Sequence, residues 1–304
     1  MESKKIYQTY LHPQNEGANI ENYIGFKHLT YLMEEAFINY FRKEYLSPNI
    51  LFKKYKIKLF IKCLKISIVK AVNVDDEIRI NITSLCSNKY LIKACDNIGN
   101  LFFKGEIAIH VIFPCANFDL KLLPPQIEQL LIDILNNENE NSYIKLLVNS
   151  NCPLNVLKEQ YSTAFIYKKR IPYYYCNFTN ELHHSGYERI IEEAVDLYLD
   201  SRHLSIKTML DQKKWIPVVS KSSIEIKNTV KMEDTIYIVF AIKNVIFHRI
   251  YEAEIKIFKC INDSLIEVAV GYISHGYSLI KDPQNPELVL IDKQTLNALM
   301  YEKA

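Results

Sequence analysis

Residues 24–36, IGFKHLTYLMEEA, and residues 182–194, LHHSGYERIIEEA, decide the fold, because they are two copies of one segment. Residues 24–80 align without a gap with residues 182–238, at an offset of 158 positions, and Tyr40 is then aligned with Tyr198. This period is longer than the 20–50 residues of a solenoid repeat and matches the size of a small domain. The 304-residue chain is therefore predicted to contain two copies of one domain.

Each copy predicts the same order of elements. Apolar residues recur at spacings of three and four over residues 26–45 and 187–199, a pattern typical of a helix with one buried face. The period then changes to two, as in Ile78, Ile80 and Ile82, and this alternation predicts strands. Further strands are predicted at 5–11, 90–94, 101–113, 245–258 and 265–274. Each copy is thus a strand, a loop, one long helix and four antiparallel strands.

A single helix among hairpin-linked strands favours an α+β fold with a curved antiparallel sheet wrapped around that helix. Residues 180–194 resemble the G-H-V-N-N-x-x-Y-L-x-x-x-E-E-A start of the central helix in hotdog acyl thioesterases. Residues 72–78, VNVDDEI, and 230–236, VKMEDTI, resemble the P-x-x-x-G-D-x-L entry to the next strand of that family. The resemblance, to 4-hydroxybenzoyl-CoA and acyl-carrier-protein thioesterases, implies two tandem hotdog domains.

The predicted boundaries are 1–115 for the first hotdog domain, 116–160 for a linker and 161–304 for the second. The linker contains an apolar helical segment over 122–136, which Pro124 and Pro125 open, and a polar run over 136–142 that is predicted to be exposed. Single hotdog domains usually dimerise, so the duplication implies a pseudo-dimer within one chain, either monomeric or further assembled.

Composition excludes several other classes. The chain has only seven glycines and no GxGxxG or GxxxxGK[ST] motif, so nucleotide binding by these devices and a cofactor are not expected. A net charge of +2 gives no case for nucleic acid. The seven cysteines are scattered without a CxxC pair, which favours reduced thiols in the cytoplasm and no metal site. No apolar stretch approaches 18 residues, so we expect neither a membrane span nor secretion.

The resemblance implies that a thioester carbonyl lies against backbone N–H groups at the start of the central helix. Unpaired N–H groups and the positive end of the helix dipole would stabilise the oxyanion of a tetrahedral intermediate. In the second copy this start spans 182–186, so His184, Ser185 and Gly186 are predicted to bind substrate. A nearby acidic, amide or imidazole group must activate the nucleophile. The candidate catalytic residues are Asn177, Asn180, Glu181, His183, Glu192 and Glu193.

The first copy differs at the same positions. Asn19 and Asn22 match Asn177 and Asn180 and are predicted to contribute to substrate binding, but Gly25 and Phe26 replace the two histidines. We therefore expect one catalytic seam, and expect the other to be a scaffold or part of the acyl pocket.

Plainer roles for some of these residues stay open. The two histidines could be a half-exposed helix cap, and Glu192 and Glu193 could be solvated charges. The Tyr173-Tyr174-Tyr175 run and Trp215 are predicted to be core and strand surface rather than a stacking platform.

The resulting hypothesis is an acyl thioester hydrolase that releases an acyl chain from acyl carrier protein or coenzyme A in fatty-acid or polyketide biosynthesis. One alternative is a hotdog dehydratase or acyltransferase, although the H-F-P-x-x-P-x-x-P-G pattern of such dehydratases is absent. The other is a non-catalytic double hotdog that binds an acyl carrier or a partner protein.

Overall fold

The computed structural model describes residues 6–20, 22–43, 47–113, 120–123, 125–136, 144–148, 152–279 and 287–300. The chain divides into two compact units. The first takes in 1–18, 22–24 and 28–141, and the second takes in 19–21, 25–27 and 142–304. Most of the linker run predicted over 136–142 lies outside the described residues, and the predicted domain boundaries stay a prediction.

The first half of the chain forms two layers, in which a long helix packs on an antiparallel sheet. Its elements are β1 (Ile6–Leu11), β2 (Ala18–Ile20), β3 (Tyr23–Ile24), α1 (Phe26–Lys43), α2 (Pro48–Tyr55), β4 (Lys58–Ile68), β5 (Ile78–Cys86), β6 (Lys89–Cys95), β7 (Leu101–Ile112) and α3 (Pro125–Asn136). Five strands pair antiparallel in the order β1-β5-β6-β7-β4. The apolar stripe of α1, including Met33 and Phe37, is fully buried in one core with this sheet and with Leu131 of α3. A helix thus lies within the segment predicted to be helical, and it packs in the core of the first unit.

The second half repeats this plan and adds short elements. It contains β8 (Lys145–Leu147), α4 (Pro153–Gln160), β9 (Phe165–Arg170), α5 (His184–Ser201), α6 (Ile206–Lys213), β10 (Trp215–Ile226), β11 (Thr235–Ile246), β12 (Ile250–Ile261), β13 (Ser264–Leu279), β14 (Glu287–Leu288) and α7 (Lys293–Met300). Its sheet order is β10-β13-β12-β11-β9, antiparallel throughout, and β8 and β14 also pair with β13.

The 158-residue repeat is kept at the level of single residues. Both α1 and α5, and likewise α2 and α6, begin and end at positions 158 apart. The Asp76 carboxylate accepts the Asn73 N–H at 2.8 Å, and the Asp234 carboxylate accepts the Lys231 N–H at 2.6 Å. The prediction of two hotdog domains is confirmed. Helices α2 and α6 were not predicted from the sequence, and they begin after the capping residues Ser47 and Ser205.

Two local predictions are wrong. The strand expected over 245–258 is broken by a hairpin turn, where Phe247 and His248 have φ of 48° and 53°. Such turns usually use Asn or Gly, so the apolar pattern hid this one. Residues Tyr173–Tyr175 form a 3-10 turn rather than strand or core, and the side chains of Tyr173 and Tyr174 are exposed. None of the described helices is long and apolar enough to cross a membrane.

Glycine allows each sheet to approach its helix closely. A Cβ added at Gly105 of β7 would lie 2.2 Å from the Lys65 carbonyl oxygen and 2.4 Å from Met33 Cε. A Cβ at Gly271 of β13 would lie 2.9 Å from Ile191 Cδ1 and 3.3 Å from the Ser223 carbonyl oxygen. The contact between sheet and helix is therefore closer at Gly105 in the first unit than at Gly271 in the second.

We expect Gly105→Ala to lower the free energy of unfolding by about 1–3 kcal/mol, because a paired strand carbonyl cannot yield to the added methyl group. Gly271→Ala is the matched control and should cost less, since its nearest contact is the end of an isoleucine side chain. Urea unfolding midpoints of the two variants measure the difference. A larger loss for Gly271→Ala would contradict this account of the packing.

Candidate active site

The start of α5 is fixed by His183. This residue has extended backbone angles, and its Nδ1 accepts the Ser185 N–H at 3.4 Å and lies 2.9 Å from Ser185 Oγ. Its carbonyl accepts the N–H groups of Gly186 at 2.9 Å and Tyr187 at 3.3 Å. His183 and Ser185 therefore form a side-chain cap at the helix N-terminus, the place where backbone donors lack helical partners.

Most backbone donors around this start are already used. The Leu182 N–H binds the Val230 carbonyl at 2.7 Å, and the His183 N–H binds the Tyr175 carbonyl at 2.9 Å. In the part of the chain that the structure describes, the His184 N–H finds no acceptor. Because it lies at the positive end of the helix dipole, this N–H is placed to donate to a ligand oxygen that carries negative charge.

The loop before α5 brings three polar side chains together. Asn177 Oδ1 accepts the Thr179 N–H at 2.8 Å and the Glu181 N–H at 3.4 Å. Thr179 Oγ1 lies 2.7 Å from Asn177 Oδ1 and 3.1 Å from Glu181 Oε2. Asn177 and Glu181 were predicted from the sequence, whereas Thr179, which lies in the turn between them, was not.

Asn180 and Asn22 have a shared backbone role. Both adopt left-handed conformations, with φ of 62° and 63°, which asparagine tolerates better than most residues. The Asn180 carbonyl accepts the Met232 N–H at 2.9 Å, and the Asn22 carbonyl accepts the Val74 N–H at 3.2 Å. Both side chains are exposed. Their predicted roles in catalysis and substrate binding stay predictions.

A buried histidine and a buried glutamate lie beneath the helix start. His184 Nε2 is 4.0 Å from Glu188 Oε1, and both side chains are almost completely buried. Burial, and then the neighbouring His183, lowers the pKa of His184 to about 3, so its imidazole is neutral at pH 7. Burial, and then Arg189, also lowers the pKa of His183. Glu188 was not among the residues predicted from the sequence.

The structure separates Glu192 and Glu193 from the helix start. Glu193 carboxylate oxygens lie 2.6 and 2.9 Å from Lys169 Nζ. Glu192 follows His184 by eight residues, about 12 Å along the helix axis. Its carboxylate lies 2.6 Å from Lys27 Nζ.

Glu192 instead lies beside the start of α1, within the second compact unit. A Cβ added at Gly25 would be 3.8 Å from Glu192 Oε1 and 3.7 Å from Asn19 Nδ2. The structure thus brings the predicted residues Asn19 and Glu192 together at Gly25, and adds Lys27, which the sequence analysis did not select.

The predicted substrate-binding residue Gly186 has a packing role. A Cβ there would lie 2.5 Å from Leu182 Cδ1 and 2.9 Å from the Tyr175 carbonyl oxygen. Glycine at 186 therefore lets the 173–175 turn approach α5. Among the described residues, no three His, Cys, Asp or Glu side chains are grouped to hold a metal ion.

Glu34 of the first unit is a further titratable group of note. Burial, and then the neighbouring Glu35, raises the pKa of the Glu34 carboxyl to about 8. Glu34 occupies the repeat position that matches Glu192. A carboxyl that keeps its proton at neutral pH can act as a hydrogen-bond donor or a general acid.

Comparisons with known proteins agree on the fold. No protein-family model matches this sequence, and no curated protein does. Several solved structures match over nearly the whole chain. A protein assigned as an oleoyl thioesterase from Lactobacillus plantarum has a TM-score of 0.61 and 9% identity, and the match covers 93% of this chain and 98% of that one.

Two acyl-ACP thioesterases match in the same way. The 12:0-ACP thioesterase of Umbellularia californica has a TM-score of 0.60 and 8% identity over 93% of this chain and 94% of its own. An acyl-ACP thioesterase of Bacteroides thetaiotaomicron has a TM-score of 0.56 and 10% identity over 89% of this chain and 97% of its own. The chain therefore has the double hotdog fold that these thioesterases share.

Asn180→Gly should leave the free energy of unfolding within about 0.5 kcal/mol of the parent, because glycine adopts the left-handed conformation readily. Asn180→Val should cost about 1–3 kcal/mol, since a β-branched residue is strained there. Asn22→Gly and Asn22→Val are the matched pair in the other repeat. Urea unfolding of the four variants is the measurement. Equal stability of Asn180→Val and Asn180→Gly would argue against a backbone role.

The raised pKa of Glu34 predicts that the free energy of unfolding depends on pH. The unfolded carboxyl releases its proton near pH 4.5, whereas the folded one keeps it to about pH 8, so stability should fall as pH rises between these values. Glu34→Gln should flatten this slope by up to about one proton. Urea unfolding at several pH values from 5 to 8.5 tests this, with the exposed Glu35→Gln as control. An unchanged slope in Glu34→Gln would exclude the assignment.

Proposed function

We propose that this protein is an acyl thioester hydrolase whose active site is the start of α5. One observation carries the proposal: the backbone N–H of His184 lacks an acceptor among the described residues and follows, by three residues, a carboxylate that Thr179 orients. An oxyanion donor and a base for water are the two groups that hydrolysis of a thioester requires. The names of structures with the same fold, an oleoyl thioesterase and two acyl-ACP thioesterases, support this reaction class.

The proposed reaction begins when the thioester carbonyl oxygen accepts the His184 N–H. The Glu181 carboxylate takes a proton from water as the water oxygen adds to the carbonyl carbon. The resulting oxyanion is stabilised by the same N–H at the positive end of α5. The carbon–sulfur bond then breaks, and the proton held by Glu181 passes to the leaving sulfur, which yields a carboxylic acid and a free thiol.

Glu181 is favoured over the other predicted carboxylates because it lies in the loop that leads directly into α5. Glu192 and Glu193 lie eight and nine residues beyond His184 in the helix, and each carboxylate is 2.6 Å from a lysine ammonium. The Glu181 carboxylate lies near the neutral hydroxyl of Thr179. We assign Asn177 and Thr179 to positioning Glu181, and His183 and Ser185 to holding the helix start.

The proposal extends to the biological setting. We place the reaction in fatty-acid or polyketide biosynthesis in the cytoplasm, on an acyl chain carried by coenzyme A or acyl carrier protein, and we expect a pseudo-dimer within one chain, either monomeric or assembled into a homo-oligomer. The names of two matching structures, an oleoyl thioesterase and a 12:0-ACP thioesterase, support fatty-acid derivatives as substrates. The free thiols of the six described cysteines fit a reducing compartment.

Glu181→Gln should lower kcat by two or more orders of magnitude, about 3 kcal/mol of transition-state stabilisation, with KM nearly unchanged. Glutamine keeps the shape of the side chain and loses the base. Glu192→Gln and Glu193→Gln are matched controls and should retain most activity. The assay is release of free thiol from acyl-CoA and acyl-ACP thioesters of several chain lengths.

Two other results would redirect the assignment. Loss of turnover in Glu192→Gln but not in Glu181→Gln would move the active site to the contact between Glu192 and Gly25. No hydrolysis of any thioester by folded protein would favour the dehydratase, acyltransferase or non-catalytic alternatives.

A further inference from the structure

The second unit exposes a group of aromatic side chains beside α5. We call residues Tyr173–Tyr175 the tyrosine turn. Tyr173 and Tyr174 are 71% and 65% exposed, and Phe178, which follows the turn, is 55% exposed. The ring centroids of Tyr173 and Tyr174 are 5.4 Å apart, with planes at 86°. Aromatic residues clustered at the surface mark binding sites more often than isolated apolar residues do.

The other repeat shows that the fold does not need these aromatic groups. Residues Asn15–Gly17 form the same 3-10 turn, 158 positions earlier, with the sequence Asn-Glu-Gly. The turn therefore forms equally with small or charged residues. The three tyrosines are a feature of the second unit alone, which is the unit with the proposed active site.

The tyrosine turn is joined directly to the helix start. The Tyr175 carbonyl accepts the His183 N–H at 2.9 Å. Glycine at 186 keeps this contact open, since a Cβ there would lie 2.9 Å from the same carbonyl oxygen. The backbone that positions the tyrosines is thus continuous with the backbone that caps α5.

Two cations accompany the turn. Lys169 Nζ and the Arg189 guanidinium carbon each lie 5.4 Å from the centroid of the Tyr175 ring. Aromatic faces stack on planar bases, and guanidinium and ammonium groups bind phosphate. Glu193 holds the Lys169 ammonium in an ion pair. The exposed aromatic rings and the Arg189 guanidinium are therefore the groups that suit a purine nucleotide. Coenzyme A carries such a group, whereas the arm of an acyl carrier protein ends on a protein.

We infer that the tyrosine turn binds the purine nucleotide of a coenzyme A thioester, so that the carrier is coenzyme A rather than a carrier protein. The inference rests on the proposed function for the position of the thioester. One of the two perpendicular rings, Tyr173 or Tyr174, supplies the stacking face and the other contacts the edge of the base, and Arg189 binds phosphate. The pantetheine arm connects this surface to the start of α5.

Binding of the nucleotide alone tests this independently of hydrolysis. Adenosine 3′,5′-bisphosphate is titrated into the full chain by calorimetry. We expect the Tyr173→Ser/Tyr174→Ser double variant to raise Kd at least tenfold, and Tyr173→Phe/Tyr174→Phe to keep Kd within about threefold, because stacking uses the ring rather than the hydroxyl. No detectable binding to the parent at millimolar nucleotide, or equal Kd for all three proteins, would overturn the inference.

Phe247 provides a matched control. It is 86% exposed in the β11–β12 turn. Thr235, at the other end of β11, pairs with Arg170 just before the tyrosine turn. The 12 residues from Thr235 to Phe247 span about 40 Å of strand, so Phe247 lies at the far end of β11 from the tyrosine turn. Phe247→Ser should leave Kd unchanged, and an equal loss in this variant would show non-specific aromatic binding and overturn the inference.

Kinetics separate this inference from the proposed function. On one acyl group, kcat/KM for the coenzyme A thioester should exceed that for the pantetheine thioester at least tenfold, and the double serine variant should remove this difference while kcat stays nearly constant. Hydrolysis with no preference for coenzyme A, or with a preference for the carrier-protein thioester, would overturn the inference and keep the hydrolase. Tyrosine-dependent nucleotide binding without hydrolysis of any thioester would keep the inference and overturn the hydrolase.

Discussion

Burial of the apolar stripe of one long helix against an antiparallel sheet is the constraint on which each unit depends. In α1 this stripe includes Met33 and Phe37, both fully buried, and in α5 it includes Ile190 and Ile191. Burying a large apolar side chain contributes roughly 1.5–3 kcal/mol, and several such residues are needed to offset the entropy of ordering the helix. Gly105 and Gly271 allow the close approach. Once the helix is held in this way, the position of its first N–H groups is held too.

The duplication separates what the fold requires from what function adds. Positions that are the same in both repeats, such as Asp76 and Asp234 or Asn22 and Asn180, support the backbone. At the helix start, several positions that differ carry titratable side chains in the second copy and not in the first. Phe26 and Thr30 of α1 correspond to His184 and Glu188 of α5. Because both units fold with the same elements, these differences are not needed for the fold, and they concentrate at one helix start.

The proposed chemistry depends on backbone geometry more than on any single side chain. The donor at the start of α5 exists because helices leave their first N–H groups unpaired. The cap by His183 holds the helix start, and the turn at Asn180 and the hydrogen bonds around Asn177 and Thr179 hold Glu181 in the loop before it. A site built in this way tolerates departures from a motif, provided that the loop keeps its shape. This explains how an altered helix-start sequence is compatible with the thioesterase fold.

The sequence by itself determined the repeat, the long helices, most strands and the antiparallel class, because burial of one face imposes a period on the residues that form it. It also placed Asn177, Glu181 and His183 near one helix start, since they are neighbours in the chain. Only the tertiary structure decided that Glu192 lies at Gly25 and Lys27, that Glu193 pairs with Lys169, and that the tyrosine turn is exposed. Those contacts join elements distant in sequence, and periodicity shows which face of an element is buried but not which residues of another element it meets.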